Sequence, residues 1–261
     1  MIKEIRSRDN RIYKECRKLS QKKYRDQQGL YLIEGYNLIG EAPASEMMYA
    51  VLREGADCGG LFGENIYIME AELFDKIAQT ETSQGIIAVM KRRIYDRQEV
   101  KRLCGPGKNL AVLDRLQDPG NIGTIIRTAE GAGYAAVVCL RGTGDVYAPK
   151  TIRAAAGSVF RIPIIKVEDN RELCGLVRDL GKRLAVTCLD TDNYYFDTDL
   201  SSDTALVIGN EGRGVSRELI ETADVRVKIP MEGKLESLNA SVAAGILMYD
   251  CLLYTSPSPR D

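Results

Sequence analysis

Histidine is absent from the 261-residue chain, and so is tryptophan. Without an imidazole, the usual general base, the familiar nucleophile triads and the commonest metal ligand are excluded together. Chemistry must therefore run on Arg, Lys, Glu, Ser, Asn or Tyr, or on a bound cofactor. Seven cysteines occur, at Cys16, Cys58, Cys104, Cys139, Cys174, Cys188 and Cys251. None forms a C-x-x-C pair, so neither a zinc site nor a disulfide framework is indicated, and no metal is expected. Proline is sparse, at 8 residues, and no apolar run approaches the roughly 18 residues of a membrane span. The opening MIKEIRSRDNRIYKECRK is too charged for a signal peptide, which makes a cytoplasmic protein the expectation.

What is present is an ordinary globular composition, 44 % hydrophobic and 28 % charged, in a length that suits one large or two modest domains. The net charge of −1 hides an asymmetry, because the first thirty residues total +6 and the rest −7. Such a basic arm suits a polyanion, while a solvated charged helix explains it equally well.

The patterning predicts two domains. In residues 1–95, the apolar runs Leu30 to Glu34, Ile66 to Met69 and Gly85 to Met90 alternate with helical stretches in a small α/β unit. Residues 96–108, with Gly-Pro-Gly at 105 to 107, read as a linker. Residues 109–250 alternate short Val/Ile-rich runs with helices, the mark of a mostly parallel sheet covered on both faces. The Ser-Pro-Ser-Pro of residues 251–261 reads as a tail outside the fold.

Three segments carry candidate chemistry. In DRLQDPGNIGTIIRTAEGAG, from Asp114 to Gly133, Asp118 can cap a helix begun by Pro119. Ile122, Ile125, Ile126 and Ala129 then form its apolar stripe, opposite Gly120, Gly123, Thr124 and Arg127. That opposite face suits a sugar-phosphate chain, or simply close helix packing beside a surface arginine. The second segment, ALVIGNEGRGVS from Ala205 to Ser216, runs a strand into a glycine-rich turn. Its G-x-x-G-x-G spacing is neither the dinucleotide fingerprint nor a P-loop, and Glu211 within it disfavours a pyrophosphate. A nicotinamide enzyme also fails because Leu140 and Arg141 stand where a ribose-binding acid is needed. The glycines could equally serve turn geometry alone. In the third, VKIPMEGKLESLNASVAAGILMYD from Val227 to Asp250, a strand leads to Ser237-Leu238-Asn239 and a helix of small and apolar residues, suited to a core or to a helical dimer interface.

In this order, N-x-G-x-x-x-R-T-A at 121 to 129, I-G-N-E-G-R-G-V-S at 208 to 216 and I-P-M…S-L-N-A-S at 229 to 241 resemble the three motifs of SpoU-class, TrmH-like RNA ribose 2′-O-methyltransferases of the SPOUT superfamily. The N-terminal part resembles the accessory, ribosomal-protein-like RNA-binding domain of the same proteins, through Lys18-Leu19, Lys22 to Arg25 and Leu30 to Gly35. The resemblance implies a C-terminal trefoil knot, S-adenosylmethionine bound in it, a homodimer, and structured RNA as substrate, ribosomal in preference to transfer RNA. It implies main-chain contacts to the cofactor at Gly209, Ile229 and Leu238, with Thr187 nearby. It also implies Asn121, Arg127, Glu211, Ser237 and Asn239 as the catalytic polar set. Because a guanidinium keeps its proton, Arg127 is expected to orient and stabilise charge rather than act as base. The remaining alternative within the resemblance is a knotted RNA-binding assembly factor without turnover.

Overall fold

The computed structural model describes residues 3–57, 65–234 and 237–255, with side chains through Leu252. The chain divides into two compact units, one of residues 1–93 with 145–160 and one of residues 94–144 with 161–261.

In the first unit, strands β1 (Lys3–Ile5), β2 (Leu30–Glu34), β3 (Met47–Arg53), β4 (Ile66–Met69) and β5 (Ile86–Lys91) form a mixed sheet in the order β1-β4-β3-β5-β2. Helices α1 (Arg11–Leu19), α2 (Lys22–Gln28), α3 (Tyr36–Glu41) and α4 (Ala71–Phe74) accompany it. The basic opening segment is therefore no loose arm. Asn10 caps α1 by accepting from the Ile12 amide, and Tyr13, Cys16 and Leu19 point into the core, so the charges are left on the outer face. Strand β5 lies between β3 and β2, and its first five residues are fully buried, as expected of an interior strand.

The second unit begins with α5 (Arg97–Leu103). This corrects the linker expected at 96–108: Asp96 and Glu99 make a capping box, and Val100 and Cys104 belong to the unit's core. In chain order there follow β6 (Leu110–Leu113), α6 (Pro119–Gly131), β7 (Ala136–Leu140), α7 (Pro149–Ala155), α8 (Ser158–Arg161), β8 (Ile164–Val167), α9 (Asn170–Asp179), β9 (Arg183–Thr187), β10 (Thr204–Ile208), α10 (Arg217–Thr222), β11 (Val225–Val227) and α11 (Ala240–Thr255), of which α7 and all of α8 but its last residue belong to the first unit. Every strand pair is parallel, in the order β11-β9-β10-β6-β7-β8. From β6 the chain steps outward to β7 and β8, and from β10 it leaves toward the other edge, so the sheet's switch point lies between β6 and β10. Ligands of such sheets bind in the crevice beyond the carboxyl ends at that point.

Two further expectations are corrected. Helix α7, read as part of the methyltransferase sheet, packs in the first unit against β2, where Tyr147 meets Tyr31 with ring centres 4.7 Å apart. Within the segment set aside as a tail, residues 251–255 continue α11. Cys251 is 4 % exposed and accepts a hydrogen bond from the Tyr134 hydroxyl. The first helix breaker there is Pro257, and nothing in CLLYT opposes a helix. Residues 256–261 lie outside the described residues.

Candidate active site at the carboxyl ends of the parallel strands

Four adjacent strands deliver the site. The turn after β6 begins with Asp114, which is completely buried. Its carboxylate accepts from Arg115 Nε at 2.8 Å and from the Ser216 amide at 2.7 Å, so it ties the turns after β6 and β10 together. Asn210 adds a second tie: its Nδ2 donates to the Arg115 carbonyl at 2.8 Å while its Oδ1 accepts the Gly212 and Arg213 amides, both at 3.1 Å. The sequence reading missed both. An Asp closing the otherwise apolar run LAVLD was the available signal for the first.

Helix α6 starts as expected, with the Asp118 side chain accepting the Asn121 amide at 2.8 Å. Its stripe of Ile122, Ile125, Ile126 and Ala129 is fully buried. Gly123, expected on the open face, is instead buried, and α11 packs across α6. Thr124 and Arg127 remain exposed.

Glu211 turns out to serve the start of that helix. Its carboxylate accepts the Gln117 amide at 3.1 Å, the Asp118 amide at 3.0 Å and Asn121 Nδ2 at 3.2 Å. Burial alone would raise this carboxyl, but the backbone N–H groups of Glu211 itself, Asp118 and Gln117 and the Asn121 amide outweigh it, holding it below the usual glutamate range. Asn121 Oδ1 in turn accepts Asn239 Nδ2 at 3.0 Å, and Asn239 caps α11 by accepting from the Ser241 amide at 2.9 Å. Asn239, Asn121 and Glu211, one from each motif, thus form a continuous hydrogen-bonded chain across the switch crevice.

The remaining predicted residues surround this chain. Arg127 sits six residues beyond Asn121 on α6, about 9 Å along the axis. Its exposed guanidinium has no hydrogen-bond or ion-pair partner among the described residues. Ser237 is exposed just before α11. Thr187 ends β9, Gly209 follows β10, and Ile229 lies two residues past β11, so three neighbouring strands end in these positions. The Thr187 hydroxyl donates to the Val207 carbonyl at 3.2 Å. Half-buried Leu238 precedes α11. Among the described residues, the peptide groups of Gly209, Ile229 and Leu238 have no backbone partner, and open main chain at half-buried positions is suited to a ligand's polar edge. A Cβ on Gly209 would meet the Val215 nitrogen at 2.2 Å and the Gly214 carbonyl carbon at 2.3 Å. Glycine is needed there by the chain's own crossing, whatever ligand approaches.

Removing the Glu211 charge tests this arrangement. Glu211→Gln should destabilise the protein by about 1–2 kcal/mol at neutral pH, because helix-start amides lose a charged acceptor. A carboxyl lowered in the folded state stabilises above its unfolded value and loses that contribution as pH falls through the folded value. The gap between wild type and variant in urea unfolding should therefore narrow as the pH falls below the ordinary glutamate range. A gap independent of pH would contradict the charged cap.

Known proteins resemble this chain in sequence and in fold. The SpoU rRNA methylase family matches residues 108–249, and the MRM3-like substrate-binding domain matches residues 10–88. The 23S rRNA (guanosine(2553)-2′-O)-methyltransferase RlmP of Bacillus subtilis is 36 % identical over 255 residues, spanning 95 % of this chain and 98 % of its own. An rRNA methyltransferase from Sinorhizobium meliloti, solved with S-adenosylmethionine, superposes with a TM-score of 0.85 at 28 % identity over 98 % of this chain and 99 % of that one. The SpoU methyltransferase AviRb of Streptomyces viridochromogenes, also solved with that cofactor, gives a TM-score of 0.84 at 26 % identity over 94 % and 98 %. The chain belongs to the SpoU rRNA methylase family of TrmH-like ribose 2′-O-methyltransferases.

Proposed function

We propose that this protein transfers a methyl group from S-adenosylmethionine to a ribose 2′-hydroxyl of ribosomal RNA, with 23S rRNA as its substrate. The observation that carries the reading is the Asn239–Asn121–Glu211 chain, which gathers the three motifs at the switch crevice, with Arg127, unpaired among the described residues, further along the same helix. The open peptide groups of Gly209, Ile229 and Leu238 fit an adenosine edge, with Thr187 beside them, and would hold the cofactor. When bound, the cofactor supplies the electron-poor methyl carbon.

The protein's own residues would do the rest. Arg127 holds an RNA phosphate and stabilises the negative charge that grows on the 2′-oxygen. Asn121, Glu211 and Asn239 fix the starts of α6 and α11, and with them the frame in which the ribose is oriented. Ser237 offers an exposed hydroxyl to the substrate. The placement of the elements supports a trefoil knot: β11 is an edge strand, yet α11, the next element in the chain, packs on α6 near the centre. In the first unit, Arg8, Arg11, Arg17, Lys18 and Lys23 are exposed without carboxylate partners among the described residues, which suits an RNA anchor.

Val242 and Tyr249, seven residues apart on α11, are 50 % and 45 % exposed. This apolar face supports an isologous homodimer, and sedimentation at micromolar concentration should give twice the chain mass. A fully active monomer would refute it.

Incubating the protein with methyl-labelled S-adenosylmethionine and 23S rRNA tests the function, and the guanosine that RlmP modifies is the first position to map. Label should enter the ribose. No transfer to any rRNA would reject the reading.

A further inference from the structure

The first unit contains a cleft of about 500 Å³ bounded by the start of α1, the first residue of β2, the start of β3 and strand β4. Pockets of about 300–1,000 Å³ are the size that receives small organic groups. Two tyrosines form its aromatic part: Tyr49 and Tyr67 meet edge to face with ring centres 5.5 Å apart. The Tyr49 hydroxyl donates to Glu15 Oε2 at 2.8 Å, which fixes that ring and leaves Oε1 without a partner among the described residues. Asn10 and Asn65 bring side-chain amides to the same cleft; Asn10 Oδ1 is engaged by the Ile12 amide, and its NH2 group remains open. Two cations attend it. Arg11 lines the cleft, Lys3 Nζ stands 5.7 Å from the Tyr67 ring centre, and neither is paired with a carboxylate among the described residues.

This inventory is specific. Aromatic rings ask for a flat or apolar body, the open carboxylate oxygen asks for an N–H donor, the amides ask for acceptors, and the cations ask for anions close by. A lipid chain would leave the carboxylate and amides unanswered, and an acidic peptide would bring its charge against Glu15. A base in a nucleic acid chain answers all four, because its ring stacks, its edge carries both donors and acceptors, and phosphates flank it. We propose that this cleft receives one unstacked nucleobase of the substrate RNA, one that presents an N–H edge to Glu15, with neighbouring phosphates on Arg11 and Lys3. The proposal rests on the reading of RNA as substrate and adds a second point of recognition, separate from the nucleotide that is methylated.

The test uses full-length protein with a 23S rRNA transcript and labelled S-adenosylmethionine. Asn65→Trp fills the cleft from an exposed position and Lys3→Glu reverses the cation beside the Tyr67 ring, and neither removes a core side chain. Each should raise the RNA KM at least about fivefold, the lower end of what loss of one stacked base produces, with kcat and cofactor affinity unchanged. Tyr67→Phe, which keeps the ring, should behave as wild type. Ultraviolet cross-linking should join a nucleotide other than the methylated one to the peptide containing Tyr67. Unchanged RNA KM in folded Asn65→Trp and Lys3→Glu proteins, with methyl transfer intact, would overturn the cleft assignment alone. A wild-type protein that cross-links at Tyr67 but transfers no methyl group would uphold the cleft and reject the enzymatic reading.

Discussion

Replacing Arg127 by lysine should lower kcat for methyl transfer by about 10²-fold while leaving affinity for S-adenosylmethionine largely unchanged. The lysine keeps the charge but loses the planar pair of donors that can hold a phosphate and the developing oxyanion together. Arg127→Ala should be slower still and should also raise the RNA KM. Neither change should cost much stability, because the side chain is exposed and no described residue pairs with it. That combination separates a catalytic role from a structural one. Lysine-variant turnover at the wild-type rate, with normal RNA affinity, would make Arg127 a bystander and remove the centre of the site.

The largest effect on stability is expected in the first unit. Arg25 and Asp145 form an ion pair whose side chains are only 5 % and 7 % exposed, with Nη2 to Oδ2 at 2.6 Å. Arg25 Nη1 also donates to the Leu19 and Ser20 carbonyls, each at 2.7 Å. Asp145→Ala leaves a buried guanidinium short of its counter-charge and should destabilise the unit by about 3–5 kcal/mol. In thermal unfolding of a unit this size this corresponds to a fall of roughly 10–20 °C. Because the orphaned charge is the larger part of the penalty, the rest being the Tyr147 amide that Asp145 Oδ1 accepts at 2.9 Å, Arg25→Met combined with Asp145→Leu should recover a substantial part of it. A single variant within about 1 °C of wild type, or a double variant no better than the single, would contradict this account of the pair. The same contact bears on truncation: deleting the first 95 residues would strip residues 145–160 of the core in which they pack.

The sequence was most legible where a strand is buried on both faces and bounded by turn residues. Thr204 to Ile208 was readable to the residue, because five buried positions stand between Asp203 and Gly209. The three motifs were readable as segments. Their joining was not, because a hydrogen bond such as Asn239 to Asn121 spans 118 positions. Glu211 was legible as a polar residue of the second motif, but its role as a helix cap was not, because its charge faces the start of α6, a tertiary neighbour that local pattern does not name. Helix α7 shows the same limit, since its helical pattern was visible while its packing partner β2, more than a hundred residues away, was not. Two misreadings had signals that went unused. Asp96 and Glu99 are spaced as a capping box, and CLLYT has no helix breaker before Pro257.

The central claim is that the acceptor is a ribose hydroxyl, and a single atom tests it. Once the methylated nucleotide is mapped, the substrate should be rebuilt with 2′-deoxyribose at that position and the native base retained. Incorporation of label from S-adenosylmethionine should disappear while RNA binding, which depends on phosphates and bases, persists. Continued methylation of the deoxy substrate would place the methyl group on the base and contradict the account.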